Sequence, residues 1–257
     1  MDNTRPLILI SNDDGYDYEG IQELIKITQT FADIAVVCPH RHQSGKSGAI
    51  TITRPLKTNV ISNTPQLTII TVDGTPADCV KLALDKLVTG RQPDLMLSGI
   101  NHGYNAGIYS NYSGTMGAAR EAVVHGVPAI AISHENLQRE LHLGPQLRQL
   151  IEKIIRWGLE SPPPKGVCLN INLPSDAEQP VQGIRQTVST IGRWTREYEH
   201  RVSPFGEDYY WLVGEFHPDN PDDDRTDIYW LKRRWATITP LRIDPTADVT
   251  LDINTLQ

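Results

Sequence analysis

Two adjacent aspartates, Asp13 and Asp14, stand where an aliphatic run stops: Leu7-Ile8-Leu9-Ile10 gives way at once to Ser11-Asn12-Asp13-Asp14-Gly15. Neighbouring carboxylates repel each other, and each is costly to desolvate alone. A hard divalent cation such as Mg²⁺ or Mn²⁺ removes that conflict, since it takes carboxylate, hydroxyl and amide oxygens as ligands. An isolated Asp-Asp-Gly is as readily a solvated turn, so the case for a metal rests on two further polar clusters. Pro39-His40-Arg41-His42-Gln43-Ser44-Gly45 follows the apolar run from Ile34 to Cys38, and Ser98-Gly99-Ile100-Asn101-His102-Gly103-Tyr104-Asn105 follows the run from Asp94. Ser44 and Asn101 supply neutral oxygens, so the expected ligand set is Asp13, Asp14, Ser44 and Asn101, with one divalent cation per subunit. Ser113-Gly114-Thr115 opens a helix rich in small residues. Its free N–H groups, hydroxyls and positive dipole end suit a phosphate. Asn105, Ser113, Gly114 and Thr115 are therefore the expected phosphate-holding group, although a plain Ser N-cap explains Ser113 on its local sequence. A cation there would neutralise phosphate charge and lower the pKa of a water. That chemistry is phosphate-ester hydrolysis, with Asp13 as the catalytic carboxylate and no dedicated general base identified.

The elements that must position these residues alternate between strand and helix. Leu7–Ile10 is apolar on both faces, as a buried parallel strand is. Residues 20–30 read as a helix with Ile21, Leu24, Ile25 and Thr28 on one face. Residues 34–38 form the next strand. Residues 50–56 and 67–72 read as an inserted antiparallel pair. Helices are expected over 76–88, 114–125 and 145–157, the last ended by Gly158, and strands over 94–98, 129–133 and 167–173, the final core strand. The fold class is α/β: a Rossmann-like, doubly wound, mostly parallel sheet with an inserted β-hairpin. In such sheets ligands sit outside the carboxyl ends of the strands, where all three polar clusters fall. After about Asp176 prolines punctuate short β-like pieces, and four of the five tryptophans lie there. The chain thus divides into a core over 1–178 and a β-rich arm over 179–257 that packs on the core and on a partner subunit.

Several signals fail. Gly45-Lys46-Ser47 resembles the end of a phosphate-binding loop, but His40 stands where its first glycine is required. No G-x-G-x-x-G or G-x-S-x-G is present. His40, His42 and His102 do not have zinc-ligand spacing and read as solvated loop residues. A net charge of −7 argues against a stable nucleic-acid complex. Cys38, Cys79 and Cys168 read as free buried thiols. No apolar stretch is long enough to span a membrane. A cytoplasmic protein without a membrane partner is expected.

Five ordered blocks carry a resemblance: Ile10-Ser11-Asn12-Asp13-Asp14-Gly15; Ser44-Gly45 with Ile50-Thr51; Gly74-Thr75-Pro76-Ala77-Asp78-Cys79-Val80; Ser98-Gly99-Ile100-Asn101 with Gly103 and Asn105; and Tyr112-Ser113-Gly114-Thr115. Weaker blocks follow at Asn170-x-Asn172-Leu173-Pro174 and Ile238-Thr239-Pro240-Leu241. Together they resemble the SurE family, survival protein E. The resemblance implies a metal-dependent 5′-nucleotidase acting on nucleoside monophosphates, with some activity on 3′-nucleotides and short polyphosphates. It implies the same four ligands, Asp13, Asp14, Ser44 and Asn101. It also implies a C-terminal arm exchanged between subunits of a homodimer or homotetramer. The chain departs from the pattern at Lys46, at His102 and Tyr104, and in the long acidic segment 195–224. The alternative from another functional class is a nucleotide-binding sensor or scaffold without turnover. An aspartyl-phosphate enzyme would instead show Asp-x-Asp.

Overall fold

Ile8, Leu9 and Ile10 have no solvent exposure at all. They belong to β1 (Leu7–Ser11), which lies inside a nine-stranded sheet and is covered on both faces. The computed structural model describes residues 5–135, 141 and 143–248. In chain order the elements are β1, α1 (Glu19–Thr28), β2 (Asp33–Pro39), β3 (Thr58–Asn63), β4 (Leu67–Val72), α2 (Pro76–Leu82) with a π-helical turn over Ala83–Leu87, and β5 (Leu95–His102). A 3₁₀ turn over Gly107–Asn111 leads to α3 (Gly114–Val124), β6 (Ala129–His134), α4 (Pro145–Glu160) and β7 (Val167–Leu173). The rest comprises β8 (Ile184–Gln186), β9 (Gly192–Thr195), β10 (Tyr198–Val202), β11 (Asp208–Leu212), β12 (Glu215–Pro218), α5 (Asp227–Leu231) and β13 (Ala236–Arg242).

The sheet order is β3-β4-β2-β1-β5-β6-β7-β13-β8, parallel except for the β3/β4 and β13/β7 pairings. Period-two alternation sends successive β1 residues to opposite faces. Ile8 and Ile10 join α1 and α4 residues such as Leu24 and Ile151 on one side. Leu9 joins Val80 of α2 and Met116 and Ala119 of α3 on the other. Three layers thus enclose two apolar cores, and each fully buried aliphatic side chain contributes about 1.5–3 kcal/mol.

Three expectations are corrected. Residues 50–56 form no strand: Ile52 is 83% exposed, and the strand that pairs with β4 is the polar Thr58–Asn63. The expected antiparallel hairpin is present as β3/β4, and β4 joins it to the main sheet by pairing in parallel with β2. Gly158 does not end its helix, which runs to Glu160; it brings α4 so close to Ile130 that a Cβ would meet Ile130 Cδ1 at 2.7 Å. Lastly, 167–173 is not the final core strand. β13 pairs antiparallel with β7 and in parallel with β8, carrying the C-terminal segment back into the sheet.

Candidate active site

From β1 the chain moves outward through β2 and β4, then returns to place β5 on the other side of β1. The reversal leaves a crevice between β1 and β5 at their carboxyl ends, where open α/β sheets bind ligands. Asp13 and Asp14 follow β1 directly, and Asn101 lies near the end of β5. Asn12 closes the turn, donating from Nδ2 to Gly15 O at 2.9 Å and accepting from Gly15 N at 3.2 Å. Both aspartates are buried, Asp13 at 3% exposure and Asp14 at 2%. Burial, with the charge of Asp14 adding to it, pushes the Asp13 carboxyl up to about 6. A pair held this way is electrostatically unfavourable without a cation.

The neighbouring elements are fitted to Asp13. Thr115 Oγ1 donates to Asp13 Oδ1 at 2.5 Å, and a Cβ on Gly114 would meet Asp13 Cβ at 2.8 Å. Ser113 caps α3, accepting from Met116 N at 3.1 Å. The loop bearing Ser44 is tied from three directions. Gln43 N donates to Asp13 O at 2.7 Å, Ser47 N donates to Tyr112 O at 3.0 Å, and Ser47 Oγ donates to Asn111 O at 2.7 Å. Gly117 permits that contact, since a Cβ there would meet Ser47 O at 2.0 Å. Further along, Asp78 accepts from Thr51 N at 2.8 Å and Thr51 Oγ1 at 2.6 Å while closing a capping box with Thr75. Burial alone would raise the Asp78 carboxyl, but the bonds from Thr51 and Thr75 outweigh it and hold it below its ordinary value.

A bulge between Gly99 and Asn101, where Ile100 has no partner on β6, re-aims the end of β5. Asn101 Nδ2 donates to Gly103 O at 2.8 Å, which leaves its amide oxygen as the atom that could face a cation. Asn105 is held by its backbone: its N donates to Asn172 Oδ1 and its O accepts from Asn170 Nδ2, each at 2.8 Å. Its own Nδ2 donates to Ser133 Oγ at 2.9 Å.

Five of the eight expected site residues, Asp13, Ser44, Asn101, Asn105 and Ser113, line one cavity of about 570 Å³. The other three do not. Thr115 is fully buried with its hydroxyl committed to Asp13, and Gly114 makes room for that same carboxylate. Asp14 faces histidines: His102 Nδ1 lies 2.9 Å from Asp14 Oδ2, and His42 Nδ1 lies 3.4 Å from Asp14 Oδ1. Tyr18 stacks on His42 and meets His102 edge-on. His102 is thus not a solvated loop residue, its side chain being 7% exposed, whereas His40 is exposed as expected. Motif reading missed His102 because its relation to Asp14 spans 88 positions. For Asn170 and Asn172 a signal existed: two amides at period two in an otherwise aliphatic strand.

The donor set of two buried carboxylates, one hydroxyl and one amide oxygen is chemically suited to a hard cation, and the capped helix beside it to an anion. Among the described residues no three His, Cys, Asp or Glu side chains form a metal-holding group, so the neutral oxygens of Ser44 and Asn101 would be needed. Fold and site together define an α/β protein with an acidic, oxygen-donor centre at its topological switch point. The family model of survival protein SurE matches residues 8–196. A 5′-nucleotidase SurE of Flavobacterium johnsoniae is 39% identical over 98% of this chain and 96% of its own. Another from Phocaeicola vulgatus is 38% identical over 96% and 95%. The crystal structure of the SurE protein from Aquifex aeolicus superposes with a TM-score of 0.80 at 33% identity, covering 94% of this chain and 95% of that one. The chain belongs to the SurE family. The three cysteines are free and buried, and among the described residues no helix is long and apolar enough to cross a membrane.

Proposed function

We infer that this chain is a 5′-nucleotidase, a phosphomonoesterase that releases phosphate from nucleoside 5′-monophosphates. The observation that carries the reading is Asp13: a carboxylate pushed up by burial and further by its neighbour Asp14, lining a cavity beside Ser44, Asn101 and the start of α3. The relatives' shared activity supplies the substrate class.

Asp13, Asp14, Ser44 and Asn101 would hold one divalent cation, Mg²⁺ or Mn²⁺. When bound, it supplies charge neutralisation on the phosphate and a lowered pKa for a water. The chain's own groups do the rest. Thr115 and Gly114 fix Asp13 in one orientation. His102 and His42 do the same for Asp14. Ser113 and the N-terminal turn of α3 face the phosphate with a hydroxyl and the positive end of the dipole. The remaining Nδ2 hydrogen of Asn105 is free to donate to a phosphate oxygen, the other being used by Ser133. Because these donors are in place before substrate arrives, little reorganisation opposes the reaction.

Residues 1–178 are the catalytic part in this reading, and 179–257 the part that assembles subunits. Support for the second comes from the β10–β11 hairpin, which exposes Tyr198, Tyr210, Trp211 and Leu212. Apolar surface of that kind marks contact with another protein surface, and a homodimer or homotetramer would cover it.

The test is phosphate release from nucleoside 5′-monophosphates with Mg²⁺, with Mn²⁺ and with chelator, for wild type and Asp13→Asn. Release that needs the cation and collapses in the folded variant supports the reading. Nucleotide binding without release under either metal would overturn it.

A further inference from the structure

The cavity holds more than the phosphate chemistry uses. Its volume of about 570 Å³ falls in the range of about 300–1,000 Å³ that encloses a drug-sized molecule. Beyond the site residues, Gly45, the segment from Asn101 to Ala106 and Glu135, its lining comes from two elements. One is the 3₁₀ turn over Gly107–Asn111, which contributes Tyr109 and, at its end, Tyr112. Residues three apart eclipse on a 3₁₀ turn, so these rings share a face. Trp194 and Phe216 pack against Tyr109 with centroids at 4.5 and 5.1 Å, while Tyr112 is 60% exposed. The other element is α5 with its C-cap, which contributes Ile228, Leu231 and Lys232. Among the described residues no ion pair engages the Lys232 ammonium.

These two walls are fastened to each other by one side chain. Asp227, with no exposure, accepts from Gly107 N at 2.6 Å, the first residue of the tyrosine-bearing turn. It also accepts from Thr190 N at 3.0 Å, Thr190 Oγ1 at 2.7 Å and its neighbour Ile228 N at 2.8 Å. Behind α5 the Arg185 guanidinium lies over the rings of Trp230 and Trp235, 3.9 and 4.5 Å from their centroids. The helix is therefore held at both ends of its short length. It lies outside residues 8–196, the span matched by the family model, so that match does not account for its position against the cavity.

We propose that α5 and the tyrosine turn form the subsite for the nucleoside leaving group, and that Tyr112, Ile228 and Lys232 set its preference for a base. Tyr112 and Tyr109 present aromatic faces to a base, Ile228 and Leu231 supply an apolar wall, and Lys232 donates to an acceptor atom on the base edge. Stacking on an aromatic side chain tolerates every base, and an ammonium donates but cannot accept. A sugar phosphate or polyphosphate would leave these groups unused. The proposal rests on the nucleotidase reading above and adds which residues set its preference for a base.

The experiment compares kcat/KM for a nucleoside 5′-monophosphate with kcat/KM for ribose 5-phosphate, which has the same ester but no base. Ile228→Ala, Lys232→Ala and Tyr112→Ala are each expected to lower the ratio of the two about tenfold, through KM on the nucleotide. Lys232→Arg and Tyr112→Phe should restore it. Thermal melts report folding; Lys232 and Tyr112 are exposed, so their variants keep the test open if Ile228→Ala unfolds. A ratio within twofold of wild type in the folded variants would overturn the subsite, as would an equal loss on both substrates, which would assign Lys232 to the phosphate. If wild type hydrolyses neither compound, the nucleotidase reading fails separately. Calorimetric titration with the nucleotide then decides the subsite: tenfold weaker binding in the Lys232 and Tyr112 variants supports it, and unchanged binding overturns it.

Discussion

Strands β1 and β10 are both five residues long, and they sit in opposite surroundings. Four of the five β1 residues are buried, and its neighbours on both sides are parallel strands covered by helices. All five β10 residues are exposed, and among the described residues its sole sheet partner is β11, itself exposed throughout. An isolated two-stranded hairpin is marginal in water, and this one carries Trp211 at 57% and Leu212 at 70% exposure. The difference separates two uses of apolar residues. In β1 they hold the carboxyl end rigid, so that Asp13 and Asp14 can be buried together. In the hairpin they are held out, away from any core of this chain.

The largest effect is expected at the rigid end. Asp13→Asn removes the charge that the centre is organised around, and phosphate release should fall by about two to three orders of magnitude. Circular dichroism and melting temperature should remain those of wild type, because the substitution also removes repulsion with Asp14. Activity within tenfold of wild type would show that Asp13 is not the centre. The exposed end should behave in the opposite manner. Trp211→Lys with Leu212→Lys should lower the mass seen by light scattering from an oligomer to a monomer, while the unfolding transition of the core stays in place. An unchanged mass would assign assembly to another surface.

Smaller effects probe how the rigid end is braced. Thr115→Val deletes the hydroxyl bond to a buried carboxylate, and unfolding in urea should show a loss of about 1–3 kcal/mol. Asp78→Asn loosens the loop that carries Ser44, with a similar or smaller loss. Its pH dependence has a definite sign. The Asp78 carboxyl is held below its ordinary value of 3.8, so its contribution is fully present above that value. It is lost as pH falls further, through the depressed value of the folded state. Wild-type stability should therefore drop more steeply than that of Asp78→Asn below pH 3.8, and parallel curves would rule out this role.

How much was readable follows from burial. Leu7–Ile10, 34–38 and 129–133 announce themselves as strands because both faces are apolar. The edge strand Thr58–Asn63 carries no such pattern, so the alternation of Ile50, Thr51 and Ile52 was the stronger and misleading signal. That loop is held by the Asp78 bonds instead, which hydropathy does not report. β13 was obscured for a related reason: its buried residues include Thr237 and Thr239, the latter bonded to Thr187 at 2.9 Å, so a strand lying between two others in the sheet looks polar. Residue type and position, at a strand end for Asp13, Ser44, Asn101 and Asn105 and at a helix start for Ser113, singled out the five residues that the cavity gathers.

The parallel α/β order, the acidic pair at the first strand end and the small-residue helix start are all written in the order of residues along the chain. Each of these is a local pattern, set by hydropathy period or by the chemistry of neighbouring residues. Tertiary structure alone decided that Thr115 serves Asp13, that His102 serves Asp14, and that α5 walls the cavity through Asp227 and Gly107. Those contacts join positions 102, 88 and 120 apart. They exist because sheet order, not chain order, sets which side chains come within hydrogen-bond reach.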